Sequence, residues 1–261
     1  KNGEDPSGRI GKWKGVSATG IRGIRNAANW RIIPTFLSEW KKHDNDKRWA
    51  LSFADYRYTA AGRQSLSKLG SFADAFASNA SDDLKKVYVN NICPAKWDTE
   101  KYVDAANYLV DANLSNVNWY ILRYADVLLL YAEALNEYYD NPPQEAFDAV
   151  AKVRNRSGMP GFPATLSKEE FRKKLRNERA VELAFEDHRF WDIRRWMIAE
   201  DEGVMRGKMY GLKISSIGGS KTHVHYEPYV FENRSWSRRS YLHGIMQNEV
   251  DKGYLIQNPG W

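Results

Sequence analysis

The sequence predicts a mainly α fold, a tetratricopeptide-like helical scaffold that carries long irregular loops and a few short strands. Three observations predict it. Apolar residues recur at helical spacing from Trp119 to Tyr138. Two further amphipathic segments follow, separated by the breakers Asp140-Asn141-Pro142-Pro143 and Ser157-Gly158-Met159-Pro160-Gly161. On either side of this block the period is lost, and aromatic residues punctuate polar, turn-rich sequence.

In the first helix Ile121, Ala125, Leu128, Ala132 and Leu135 recur at three and four residues, with Leu122 and Leu129 widening the stripe. The second runs from Gln144 to Arg156 with Ala146, Phe147, Val150 and Val153 inward, and Gly158 suits a left-handed cap after it. The third starts at Ser167. Glu170 lies three residues on, so each side chain can satisfy an orphan amide of the first turn in a capping box. Phe171, Leu175, Val181, Leu183 and Phe185 supply its apolar contacts. Two antiparallel helices with alanine at their contacts resemble a tetratricopeptide pair. Such a pair needs neighbours to bury its open faces. Only one clean pair is visible, and Lys1 to Pro6 reads as a start inside a loop. Further helices are therefore expected upstream.

The flanks are less regular. Residues 1–29 read as loop and short extended pieces. A short amphipathic segment from Thr35 to Lys42 carries Phe36, Leu37 and Trp40. Asp44-Asn45-Asp46 follows; it lacks the glycine and terminal glutamate of a calcium loop and reads as a helix stop. Residues 47–118 read as irregular, and after Trp196 loops and short strands return, ending in the turn Gln257 to Trp261. The expected organisation is one domain in three stretches: an aromatic-rich loop segment over 1–118, the helical core over 119–200, and a loop-rich segment over 201–261 packed on that core.

Composition narrows the function. The net charge is +6, yet the densest basic run, Arg172 to Arg179, is answered by Glu169, Glu170, Glu178 and Glu182. Residues three or four apart on a helix pair, so this is a solvated helix face rather than a phosphate-binding patch, and no nucleic-acid partner is expected. The single cysteine, Cys93, allows neither an internal disulfide nor a zinc cluster. The longest apolar stretch, Ile121 to Leu135, is interrupted by Arg123, Asp126 and Glu133 and cannot span a bilayer. His223 and His225 share one side of a strand but lack a third ligand nearby, so no metal is expected. No glycine-rich phosphate loop and no hydrolase motif occurs, so no cofactor and no catalytic residue is expected.

Two features remain. Glu178, Glu182 and Glu186 fall at four-residue spacing on one face. Glycosidase carboxylates flank a cleft from opposite sides. Stacked on one helix, these three read instead as a buried ion-pair network, with Arg179, Arg189 and Arg194 as partners able to pair bidentately. The other feature is the aromatic excess, ten Trp and fifteen Tyr. Trp30, Trp49, Tyr56, Tyr58 and Trp97 lie in polar, turn-rich contexts. A flat ring beside Asn, Asp or Arg suits the apolar faces and hydroxyl edges of sugars, so these five are the candidate ligand-binding residues. Trp40, at helical spacing with Phe36 and Leu37, reads as core.

Two segments, Tyr120 to Asn136 and Leu175 to Trp196, closely resemble the core motifs of the SusD/RagB family. Val153-Arg154-Asn155-Arg156-Ser157-Gly158 resembles its arginine-rich helix end, Pro34-Thr35 with Asp46-Lys47-Arg48 its opening motif, and Gln257 to Trp261 its C-terminus. The resemblance spans roughly residues 30–261. There are two departures: Asp187 stands where glycine is usual, and His243-Gly244-Ile245 replaces a Pro-Ile-Pro. The resemblance implies a non-enzymatic outer-membrane lipoprotein, anchored by an N-terminal lipidated cysteine absent from this sequence. It further implies capture of nutrients, most often oligosaccharides, and delivery to a TonB-dependent, SusC-like transporter. In the family, ligand loops commonly lie ahead of the Arg-Tyr-Ala-Asp helix, which favours the 1–118 segment as the ligand side. Two alternatives stay open: a helical protein-protein interaction scaffold, and a glycoside hydrolase.

Overall fold

The computed structural model describes residues 119–216 and 224–261. Between residues 15 and 98 it describes the shorter stretches 15–16, 18–21, 24–26, 32, 36, 46–54, 56–59, 61–65 and 92–98. Trp30, Trp40 and His223 lie outside the described residues.

The helical core is as the periodicity predicts. Helix α2 (Tyr124–Tyr138) pairs with α3 (Gln144–Arg156), and α4 (Lys168–Glu182) packs on α2. A short helix, α1 (Arg48–Ser52), precedes them in the chain, and α5 (His188–Arg195) follows. One apolar cluster joins the three long helices: Leu129 and Ala132 from α2, Phe147, Val150 and Val153 from α3, Phe171 and Leu175 from α4. Ala132, Ala146 and Ala149 are buried at the α2/α3 seam, where a methyl side chain lets two backbones approach.

The helix ends follow their local chemistry. Ser167 and Glu170 form the full capping box. Gly158 takes φ 80°, the left-handed cap after α3. The first helix starts at Tyr124 rather than Trp119, because Arg123 is extended (φ −145°, ψ 156°) and acts as the N-cap. Asp187, in place of the family's usual glycine, also adopts the left-handed region, with φ 65°.

Two expectations are corrected. The 201–261 segment carries not short strands but one long antiparallel hairpin, β7 (Gly207–Ser216) with β8 (Val224–Arg234). Pro228, two glycines and several charges in these strands break the alternation that would have revealed them. Among the described residues before 119, the short extended pieces expected over 1–29 are present as two strands, and the stretch from 47, expected to be irregular, is more regular. These residues hold β1 (Ala18–Ile21), β2 (Ile24–Asn26), β4 (Tyr56–Thr59) and β5 (Gly62–Ser65) in one sheet of order β2-β1-β4-β5, and β3 (Phe53–Ala54) paired with β6 (Cys93–Pro94).

The C-terminus is pinned by side chains. Gln257 exchanges two hydrogen bonds with the Ile245 backbone, each 2.8 Å, and Asn258 donates to the His243 carbonyl at 2.6 Å. The Trp261 indole N–H donates to the carbonyls of Arg239 and Leu242. A Cβ at Gly244 would stand 2.9 Å from the Trp261 ring, so any larger residue there requires the terminal indole to shift.

The outer face of α2 presents Tyr124, Val127, Tyr131 and Tyr138 to solvent. Among the described residues no helix is long and apolar enough to cross a membrane.

Candidate functional site

Helix α4 supplies the charged centre. Glu178 and Glu182 lie one turn apart, and Glu186 follows in the turn after the helix; all three are buried. A buried carboxylate is costly unless cations and donors satisfy it, and here every one is engaged. Glu178 takes Arg48 Nη1 at 2.5 Å and also Arg154. Glu182 takes Arg123 at 2.7 Å, Arg156 at 2.5 Å and Arg48 at 3.1 Å. Glu186 takes Lys96 Nζ on Oε1 and Arg123 Nε on Oε2, each at 2.6 Å. Arg48 is itself gripped by Asp46, whose two oxygens accept from Nε and Nη2 at 2.9 Å.

Charge balance inside this cluster shows in its acidities. Burial pushes the Glu182 carboxyl upward, but Arg123, Arg156 and Arg48 outweigh it and hold the group below the usual carboxylate value. Burial likewise opposes the charge on Arg48, and Asp46 and Glu178 overcome it, raising that guanidinium above its ordinary value. At Lys96 burial prevails over the attraction of Glu186, and the ammonium falls below the ordinary lysine value.

The buried network expected from the sequence is present, but its partners are corrected. Arg179 does not pair with the three glutamates. It makes a two-pronged contact with Asp192, both bonds 3.0 Å, and an ion pair with Asp126 at 2.9 Å. It follows Glu178 directly, so it points about 100° away round the helix. Arg194 donates to the Tyr241 carbonyl, and the Arg189 guanidinium lies over the Trp196 ring. Cations from remote segments serve the glutamates instead. These three carboxylates are held by buried cations and do not flank a cleft from opposite sides, as a glycosidase pair would.

The aromatic candidates divide. Trp49 is buried edge-on to Phe53 at 4.7 Å, in a cluster with Phe36 and Phe185. Tyr56 is buried too, and its hydroxyl donates to Asp98 Oδ2 at 2.7 Å. Tyr58 is half-buried and donates to the same oxygen at 2.9 Å. Burial first, then Asp98, pushes both phenols above the ordinary tyrosine value, so both stay protonated donors. Trp97 is fully buried. Its indole stacks on that of half-buried Trp119, 4.8 Å between centroids and 8° from parallel, and Tyr120 leans on it with 46% of its surface exposed.

The expectation that Trp49 and Trp97 stand out from loops is therefore corrected: both are packed inside. Polar neighbours in sequence do not report burial when strand pairing, here Phe53 with Pro94 and Ala54 with Cys93, folds the loop back on itself. The residues that reach the surface are neighbours of the candidates. Trp97 and Asp98 are consecutive, so Trp119 and Tyr120 on one side and Tyr58 on the other flank a single turn. Sequence reasoning passed over Trp119-Tyr120 as a helix start and did not single out Asp98; the adjacent aromatic pair and the Trp-Asp dipeptide were the available signals.

Elsewhere an open cleft of about 490 Å³ is lined by Leu183, Phe185, Asp187, Arg189, Phe190 and Trp191. Among the described residues no group of three His, Cys, Asp or Glu side chains could hold a metal ion.

The pattern of the SusD family matches residues 19–261. This chain belongs to the SusD family. A SusD-like protein of Formosa agariphila is 37% identical over 197 residues, 71% of this chain and 36% of its own length. The crystal structure of a SusD homologue from Bacteroides thetaiotaomicron superposes on all of this chain and 50% of its own, with TM-score 0.70 and 34% identity. A SusD-like protein from Bacteroides fragilis described as carbohydrate binding shares the fold at TM-score 0.52 and 24% identity, over 79% of this chain and 40% of its own. The chain thus spans half or less of the length of these relatives.

The SusD motifs and the buried charge cluster coincide. Asp46 and Arg48 come from the opening motif, Arg123 and Asp126 from the first core motif, and Arg154 and Arg156 from the arginine-rich helix end. Glu178, Arg179, Glu182, Glu186 and Asp192 come from the second core motif. Among the described residues, Lys96 is the one cation on the three glutamates that lies outside these segments.

Proposed function

We propose that this chain is part of a surface lipoprotein that captures oligosaccharides at the outer membrane and delivers them, unchanged, to a TonB-dependent SusC-like transporter. Family membership supports the reading, as does the carbohydrate-binding description of one solved relative. The observation that carries it in this chain is the aromatic surface around the Trp97-Asp98 turn. Trp119 and Tyr120 offer flat apolar faces backed by the buried Trp97 ring, and beneath them the Tyr56 and Tyr58 hydroxyls are tied to the buried Asp98 carboxylate, which stiffens the turn. An apolar wall with a few convergent polar groups is the common form of a small-molecule site. Of the residues singled out by sequence, Tyr58 contributes at this surface and Trp97 and Tyr56 support it from beneath. The buried packing of Trp49 assigns it to the scaffold.

The state of three buried carboxylates supports binding without chemistry. A glycosidase needs one acid free to protonate a leaving group, and Glu178, Glu182 and Glu186 are each committed to buried cations. The test is a glycan array on the full-length protein, then titration of the best glycan against Tyr120→Ala and Trp119→Ala, with product analysis after long incubation. Saturable binding that these substitutions weaken, with the glycan recovered intact, is expected. Sustained turnover lost in Glu182→Gln would replace the capture reading with a hydrolase.

A further inference from the structure

Glu186 uses both carboxylate oxygens to join two segments that are otherwise far apart in sequence. Oε1 accepts from Lys96 Nζ at 2.6 Å, and Oε2 accepts from Arg123 Nε at 2.6 Å. A further bond runs from Arg123 Nη2 to Oε1 at 3.0 Å. The same two cations also donate to the Glu182 carbonyl, Lys96 at 2.9 Å and Arg123 at 2.6 Å. The Glu186 side chain is 1% exposed, so these bonds are shielded from water. Lys96 immediately precedes Trp97 and Asp98, and Arg123 follows Trp119 and Tyr120 by four and three residues. The buried turn beneath the aromatic surface and the segment that carries its exposed rings therefore meet at one carboxylate.

We propose that Glu186 is a positioning residue for the ligand surface: it fixes the turn bearing Trp97-Asp98 against the segment bearing Trp119-Tyr120, and so sets the stacked geometry of the two indoles. The proposal rests on the capture reading for its meaning, though its geometric content stands apart from it. The indoles pack at 4.8 Å and 8° without any hydrogen bond between them. Stacking alone leaves rings free to slide in plane, because offset arrangements are close in energy. A bidentate, charge-assisted pair is directional, and a binding surface keeps its shape only when supporting residues lock it. Glu178 makes a useful contrast. It is also buried, two helical turns earlier on α4, but its cations are Arg48 and Arg154, neither of which adjoins the aromatic surface.

The experiment uses the full-length protein labelled with 5-fluorotryptophan, the Trp119 fluorine signal being assigned by its absence in Trp119→Phe. Glu186→Gln, Lys96→Met and Glu178→Gln are compared with the parent for melting temperature and for the Trp119 signal at a temperature where all are folded. Lys96→Met leaves Arg123 paired with Glu186, so it strands no carboxylate and keeps the test readable if Glu186→Gln fails to fold. The expected result is a shifted or broadened Trp119 signal in Glu186→Gln and Lys96→Met, with Glu178→Gln leaving it in place whatever its melting temperature. An unmoved Trp119 signal in folded Lys96→Met and Glu186→Gln overturns the proposal, as does an equal shift in Glu178→Gln. Affinity for laminarihexaose and maltoheptaose is measured alongside. A loss of roughly tenfold, about 1.4 kcal/mol, links the geometry to capture. A moved signal with no glycan bound by the parent leaves the positioning role standing and counts against the capture reading.

Discussion

Arg48 Nη1 lies 2.5 Å from Glu178 Oε1 although 130 residues separate them in the chain. Through this contact the segment ahead of the helical core is fastened to the middle of α4. The same arginine reaches Glu182 and is oriented by Asp46, so one guanidinium serves three carboxylates. A cluster of this kind contributes to stability only while complete, because the cost of burying each ion is offset by its partners.

Glu182 is the most heavily shared member, with Arg48, Arg123 and Arg156 on its carboxylate. Glu182→Ala leaves buried cations underpaired and is expected to cost about 3–5 kcal/mol. For a protein of this size or larger that corresponds to a fall of roughly 10 °C in melting temperature. Scanning calorimetry of the full-length protein measures it, and an unchanged Tm would show that the cluster contributes nothing net.

The same residue gives a pH dependence with a defined sign. Its folded-state pKa is held below the ordinary value of 4.5. On acidification the unfolded chain therefore takes up this proton first, and stability falls. The contribution is fully present above pH 4.5 and is lost as pH drops through the depressed value. Denaturation at a series of acidic pH values should show a decline that is shallower in Glu182→Gln. Parallel curves for the two proteins would remove Glu182 from the acid response.

Burial separates the aromatic residues into two classes with opposite behaviour. Trp97 and Trp49 are enclosed, so Trp97→Ala and Trp49→Ala are each expected to cost about 3–5 kcal/mol in chemical denaturation. Tyr120 is 46% exposed, and Tyr120→Ala should stay within about 0.5 kcal/mol of the parent while weakening glycan binding. Equal stability losses at Tyr120 and Trp97 would place both in the core.

Asp187 holds φ 65° with a side chain present. Aspartate tolerates the left-handed region better than a branched residue does. Asp187→Gly should leave Tm within a few degrees, whereas Asp187→Val is expected to cost about 1–2 kcal/mol. Thermal melts of the two variants decide it, and equal values would mean that the turn rearranges freely.

Gly244 provides a steric counterpart. Because a Cβ there meets the Trp261 ring at 2.9 Å, Gly244→Ala should displace the terminal indole. Tryptophan emission at the C-terminus, compared with Trp261→Phe as reference, reports the displacement; an emission spectrum identical to the parent's would show that the turn absorbs the methyl group.

The sequence by itself determined the three long helices, the Ser167–Glu170 capping box, the left-handed Gly158 cap and the presence of a buried charge cluster. Each of these is written in residues a few positions apart, because helical period and capping are local. It also carried the family motifs. Only the tertiary structure decided which cations serve Glu178, Glu182 and Glu186, that Trp49 and Trp97 face inward, and that Gly207–Ser216 pairs with Val224–Arg234 in one long hairpin. Those outcomes depend on which distant segments meet. Lys96 reaches Glu186 across 90 residues and Arg48 reaches Glu182 across 134. No periodicity encodes such pairings, since they are set by how loops close over the helical core and by which buried charge would otherwise be left without a partner.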